Sequence, residues 1–221
     1  MATQYAFGKI VTDGLVLALD AADKNSYPDS GTTWRDMSGN NITGSLTNGP
    51  TFNSTNGGSI VFDGTNDSVI MADNSALNTQ TPSVEVWIKT NATNQNGFWF
   101  EKGTVNSQYS LFQEGTNIVW RQSDRSQYTN TATYITTANW VQVVGTYTSG
   151  DRKTYINSTV VTSDVQTGAV ATNAGGMFIG TYGGGGYPYN GNVAIVRVYN
   201  RILTASEILQ NYNAQKSRFN L

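Results

Sequence analysis

Three groups of side chains in this sequence have the types and spacing for chemistry. Asp63, Asn66 and Asp67 fall within the segment DGTND, where their oxygens could hold a hard cation such as calcium, with Asp20 or Asp23 able to join them. No Glu stands twelve positions along, so the spacing is not that of an EF-hand loop, and Asx residues in a tight turn usually bond their own backbone. Tyr182, Tyr187 and Tyr189 flank four consecutive glycines in TYGGGGYPYN. Tyrosines on such a loop can stack on the apolar faces of sugar rings or dock onto a neighbouring subunit. The glycines are no phosphate cradle, because the element that follows is a strand and offers no helix N-terminus. Trp87 shares a strand face with Glu85 and Lys89, so that face is either solvated or covered by a loop, and Trp87 is a further candidate for glycan or interface contact. Trp99, Trp120 and Tyr128 are weaker candidates, since an isolated Trp in a strand more often belongs to the core.

Much chemistry is excluded by composition. The chain has neither cysteine nor histidine, which removes thiol nucleophiles, Ser-His and Cys-His pairs and the commonest transition-metal ligand. With 13 basic and 15 acidic residues in 221 and no basic block, nucleic acid is not an expected partner. No apolar run approaches the roughly 20 residues of a membrane span, so no membrane partner is expected either. The N-terminus lacks a basic stretch followed by an apolar core, and no signal peptide is expected. Charged residues are 13% of the chain, against about 25% in an average protein. Asn, Thr, Ser and Gly replace them, giving a neutral hydrogen-bonding surface, while 11% aromatic residues supply a core.

The elements that must position these residues are mainly strands. Ser83 to Thr90 alternates cleanly, with Val84, Val86 and Ile88 on one face and Glu85, Trp87 and Lys89 on the other. Further strands are expected at Leu15 to Asp20, Thr43 to Leu46, Gly97 to Glu101, Tyr109 to Gln113, Asn117 to Gln122, Tyr128 to Ile135, Trp140 to Tyr147, Lys153 to Ile156, Thr159 to Thr162 and Met177 to Thr181. Ser59 to Phe62 and Ser68 to Ala72 read as a strand pair joined by the Asp63 to Asp67 turn, and residues 23 to 57 otherwise read as a long loop. The Asn157-Ser158 pair stands where a two-residue type I′ hairpin would demand positive φ twice.

The best-punctuated stretch is Gly191 to Tyr212. A β-branched run from Val193 to Tyr199 gives way to Thr204 and Glu207 at capping-box spacing, with Leu203 and Ile208 placed as a hydrophobic staple. A helix of about three turns should end near Tyr212 or Asn213. Such a helix is marginal alone, so Ile208, Leu209 and Tyr212 must pack on the body. Short, evenly spaced strands with a single helix predict an all-β fold: a two-sheet antiparallel jelly-roll sandwich closed by one short C-terminal helix. Residues 1–13 would form an arm, 14–213 one domain and 214–221 a tail.

The run GNVAIVRVYNRILTASEILQNY resembles the closing strand and terminal helix of concanavalin A-like, laminin-G-like jelly-roll domains. GLVLALDAAD, WRDMSGNNITG, SIVFDG, SVEVWIK, WVQVVGTY, TYINSTVV and MFIGTY follow the family order from residue 14 onward. The opening, the WRDMSGNN turn and the ending look most like proteins of tailed bacteriophages. The fold serves lectins, glycosidases, adhesion modules and virus surface proteins alike; the phage resemblance implies a virion protein, assembled in the host cytoplasm, as a capsid decoration, fibre or appendage, with a host-polysaccharide-binding, lectin-like tail adhesin as the alternative. Its partners would be other virion proteins and a host surface polysaccharide, and it would act as a homo-oligomer or in many copies, with edge strands and the arm as contact surfaces. Glycosidases on this fold typically carry acids at i, i+2 and i+5 of one strand. Here Glu85 is followed by Trp87 and Lys89, and Glu101 and Glu114 stand alone, so no catalytic residue is expected.

Overall fold

The computed structural model describes residues 9–103, 108–123, 125–130, 134–183 and 185–221. In chain order the strands are β1 (Leu15–Asp20), β2 (Thr33–Trp34), β3 (Gly44–Thr47), β4 (Thr51–Asn53), β5 (Ser59–Asp63), β6 (Ser68–Met71), β7 (Ser83–Thr90) and β8 (Gln95–Lys102). They continue as β9 (Tyr109–Gly115), β10 (Asn117–Gln122), β11 (Arg125–Asn130), β12 (Val141–Thr148), β13 (Asp151–Ile156), β14 (Thr159–Asp164), β15 (Met177–Ile179) and β16 (Asn190–Tyr199). One sheet runs β14-β13-β12-β7-β16-β5-β4, with β1 also on β16, and the other β11-β10-β9-β8-β15-β6-β3-β2. Every described pairing is antiparallel, and the inward faces enclose one core that includes Val84, Val86, Ile88, Trp99, Trp120, Val196 and Val198. This is the expected two-sheet jelly roll. Among the described residues no helix is long and apolar enough to cross a membrane.

Three strand expectations are corrected, the first being the loop read over residues 23 to 57, which carries β2 and β4 beside the expected β3. β5 and β6 do not pair: β5 lies between β4 and β16, whereas β6 lies between β3 and β15 in the opposite sheet. Asp63 to Asp67 is thus a crossover between layers, a distinction that turn residues alone do not encode. The strand expected from Tyr128 to Ile135 is instead Arg125–Asn130; 131–133 lie outside the described residues, and Ile135 is a buried core residue beyond the strand.

β16 is the organising strand. Its outer edge is shared, Asn190 to Val193 with β5 and the remainder with β1, while its other edge takes β7. The helix α1 (Ala205–Gln215) follows with the full capping box: Glu207 N donates to Thr204 Oγ1 at 3.3 Å and Thr204 N donates to Glu207 Oε2 at 2.8 Å. Leu203 and Ile208 pack together as the staple requires. The buried stripe is Ile208, Asn211 and Ala214, while Leu209 is left exposed. A 3₁₀ turn at Lys216–Phe219 then brings Phe219 down onto the sheet, 4.5 Å from the Trp87 ring. Residues beyond 213 are therefore packed, anchored further by the Arg218–Asp20 ion pair at 2.7 Å. At the other end, residues 1–8 of the expected arm lie outside the described residues. Val11 is buried beside Leu203 and Ile208, and its amide donates to Asn211 Oδ1 at 2.8 Å.

Candidate functional site

A cleft of about 250 Å³ opens on the outward face of the second sheet, lined by Asn96, Phe98, Phe112, Gln113, Glu114, Arg121, Tyr182 and Tyr187. Strand register builds it. Phe98 of β8 is paired with Phe112 of β9, and Phe112 with Val119 of β10, giving an apolar row. Phe98 and Phe112 stack with centroids 4.2 Å apart and planes 4° from parallel. A β-bulge at Phe98/Phe100 turns Phe98 outward while Trp99 and Phe100 both stay in the core. Next to this row, Glu101 of β8, Ser110 of β9 and Arg121 of β10 are cross-strand partners. The Arg121 guanidinium lies 4.9 Å from the Phe112 centroid, 5.6 Å from Phe98 and 5.7 Å from Tyr182, a cation held over aromatic faces, and its Nε donates to Ser110 Oγ at 3.2 Å.

The glycine-rich segment closes the cleft on one side. Tyr182 and Gly186 form an antiparallel bridge, with Tyr182 N donating to Gly186 O at 2.6 Å and Gly186 N to Tyr182 O at 2.8 Å. The Tyr182 ring sits 5.1 Å from Phe98 and 6.1 Å from Tyr187. Tyr187 is 55% exposed and carries φ +48°, unusual for an aromatic residue, so its ring stands at the rim. Gly180, at φ +87°, turns the chain out of β15, and a Cβ there would lie 2.4 Å from the Phe62 ring. Together these groups form a preformed aromatic cup with an amide (Asn96), a carboxylate (Glu114) and a guanidinium in reach, suited to a ring with one apolar face and polar edges.

The other expected contact residues lie elsewhere. Tyr189 is wholly buried, against Phe62 and Trp99, and burial pushes its phenol pKa up. Positive φ at Tyr187 breaks the alternation that would have put Tyr187 and Tyr189 on one side. Trp87 is also fully buried, stacked between Tyr212 and Phe219 of the C-terminal segment, so neither side chain is available to a surface ligand. The outward face of β7 is covered by α1, not by a loop. Beneath it Glu85 accepts from Trp87 Nε1 at 3.0 Å, Gln142 Nε2 at 2.9 Å, Arg197 Nη1 at 3.3 Å and Asn211 Nδ2 at 2.8 Å. That carboxylate is a structural anchor.

The Asp63, Asn66 and Asp67 oxygens mostly serve the backbone. Asp63 Oδ1 accepts from Thr65 N at 2.7 Å, Asp67 Oδ2 from Asp63 N at 3.0 Å, and Asn66 O from Asn48 Nδ2 at 2.9 Å. Burial raises the pKa of Asp67, opposed by the Asp63 amide. Among the described residues no three His, Cys, Asp or Glu side chains are grouped to hold a metal ion. Phe98, Phe112 and Arg121 were missed by sequence reasoning. For Phe112 and Arg121 the signal was present in the neighbouring pairs Leu111-Phe112 and Trp120-Arg121, where alternation assigns one member to each face; the bulge at Phe98 hid that residue.

No curated protein matches the chain in sequence. Among solved structures, a botulinum neurotoxin serotype D ligand-binding domain in complex with N-acetylneuraminic acid aligns at 18% identity and TM-score 0.72 over 93% of this chain and 52% of its own. Botulinum neurotoxin type C, whose cell entry is described as dependent upon interaction with two ganglioside molecules, aligns at 16% identity, TM-score 0.72, over 93% and 52%. The binding domain of Paraclostridial Mosquitocidal Protein 1 aligns at 19% identity, TM-score 0.70, over 91% and 52%. The chain spans about half the length of these structures, and likeness at such identities is one of fold. The model of the concanavalin A-like lectin/glucanases superfamily matches residues 63–209, from the last residue of β5 into α1, and the chain belongs to that superfamily.

Proposed function

We propose that the protein is a carbohydrate-binding module that holds a sugar in the cup and leaves it chemically unchanged. The observation that carries this reading is the convergence of Tyr182, Tyr187 and the stacked Phe98–Phe112 pair with Arg121, Asn96 and Glu114 around one cleft. Aromatic faces suit the C–H face of a pyranose, and the polar groups suit its hydroxyls. Glycoside hydrolysis needs two carboxyl groups across the scissile bond, and among the described residues Glu114 is the one carboxylate lining the cleft. The ganglioside and N-acetylneuraminic acid in the descriptions of the fold neighbours support a glycan reading. A glycan array with wild type and Tyr187→Ala tests it: binding that depends on Tyr187 is expected, and absence of any binding at millimolar sugar overturns it.

The setting we propose is the surface of a bacteriophage virion, as a capsid decoration, fibre or appendage protein present in many copies, contacting other virion proteins and a host polysaccharide. Its support is the sequence resemblance of the opening, the WRDMSGNN turn and the C-terminal run. Imaging virions with this protein labelled tests it, and label absent from particles overturns it.

A further inference from the structure

Glu101 is wholly buried on the outward face of the second sheet, in the cross-strand row with Ser110 and Arg121. Taking a carboxylate out of water is costly unless donors replace the lost hydration. One donor comes from the tyrosine loop: Gly183 N donates to Glu101 Oε2 at 2.6 Å, a short contact of the charge-assisted kind. Gly183 adopts φ +57° and follows directly on Tyr182, so this bond fixes the hairpin to the sheet at the point where the Tyr182 ring turns down onto Phe98 and Arg121. On the hairpin's return arm, Gly186 O accepts from both Tyr182 N and Thr181 Oγ1, the latter at 2.9 Å. Tyr187 comes next, in its left-handed conformation, which is held only when the surrounding structure over-determines it.

We propose that Glu101 is the positioning residue of the cup: through Gly183 it holds Tyr182, and with it the bridged Gly186 and Tyr187, in a preformed, ligand-ready geometry and thereby sets the affinity for a pyranose stacked on Tyr187. The inference rests on the carbohydrate reading for its ligand, but the anchoring itself does not depend on any ligand. Preorganisation matters because a loop ordered only on binding would subtract its ordering cost from the affinity.

The test uses full-length wild type, Glu101→Gln and Glu101→Asp. Glu101→Gln keeps the size but exchanges a charged acceptor for a neutral one, and Glu101→Asp keeps the charge but draws it back from Gly183. Amide hydrogen exchange at Gly183 is expected to speed up about tenfold in either variant, with shifted Tyr182 and Tyr187 ring resonances. Affinity for the array-selected sugar should fall by a similar factor, and adding Tyr187→Ala to Glu101→Gln should cost less than it does in wild type. If Glu101→Gln does not fold, Glu101→Asp decides alone. Unchanged Gly183 exchange and tyrosine resonances overturn the positioning role whether or not a sugar binds. Affinity unchanged despite loosened Gly183 overturns it too. No sugar binding by wild type, or binding that Tyr187→Ala leaves unchanged, overturns the cup as the sugar site instead, leaving the Gly183 measurement to judge the anchor.

Discussion

The indole of Trp120 on β10 lies flat against the bare backbone of Gly145 on β12, across the sandwich: a Cβ at 145 would come within 2.3 Å of the Trp120 ring. Trp120 Nε1 also donates to Thr146 O at 3.1 Å. The two sheets are locked by a notch on one and a wedge on the other, and a methyl group at 145 has to push the sheets or the indole apart. Gly145→Ala is expected to lower the unfolding free energy by about 1–3 kcal/mol, read as a drop of several degrees in melting midpoint.

The buried pair under α1 gives a second expectation. Burial works to lower the pKa of Arg197, but the neighbouring Glu85 carboxylate, helped by Tyr199 and Asp20, outweighs it and raises the pKa overall. Removing one partner leaves the other charge in the interior, so Arg197→Met should cost about 3–5 kcal/mol in urea unfolding. Adding Glu85→Gln should cost less than the sum of the single changes.

Acid should loosen the helix cap. Arg201, bonded to Glu207 at 2.7 Å, together with Thr204, draws the Glu207 carboxyl down to about 2 from its usual 4.5. The folded carboxyl binds its proton less tightly than the unfolded one, so the stability it contributes is complete above about pH 5 and fades as pH falls toward 2. Glu207→Gln should flatten this acid limb by about 1 kcal/mol, a screened value for a partly exposed pair, measured as the melting midpoint from pH 7 to 2.

At the β13–β14 hairpin, Asn157 and Ser158 adopt φ +47° and +65°, the geometry a type I′ turn needs. A serine there is strained where glycine is not. Ser158→Gly should raise stability by about 0.4–1 kcal/mol, and an unchanged or lower melting midpoint would count against it.

What the sequence disclosed followed local rules. Thr204 and Glu207 announced the helix because both partners of the cap lie within one turn, and Val84, Val86 and Ile88 announced an inward strand face through alternation alone. The cover over Trp87 was not legible, since Tyr212 and Phe219 reach it from the far end of the chain. Nor was the split of β5 from β6 between layers, because a hairpin and a crossover use the same Gly, Asn and Asp. In the cup, Tyr182 and Tyr187 were marked by their glycines. Phe98 was concealed by a bulge, and Tyr189 resembled its neighbours in type while pointing into the core.

Whether the Tyr187 cup holds a sugar is read by calorimetric titration of wild type and Tyr187→Ala with an array-selected oligosaccharide. Loss of one aromatic platform should weaken binding by roughly three- to tenfold with the melting midpoint unchanged, whereas equal affinities in the two proteins would show that sugars do not bind there.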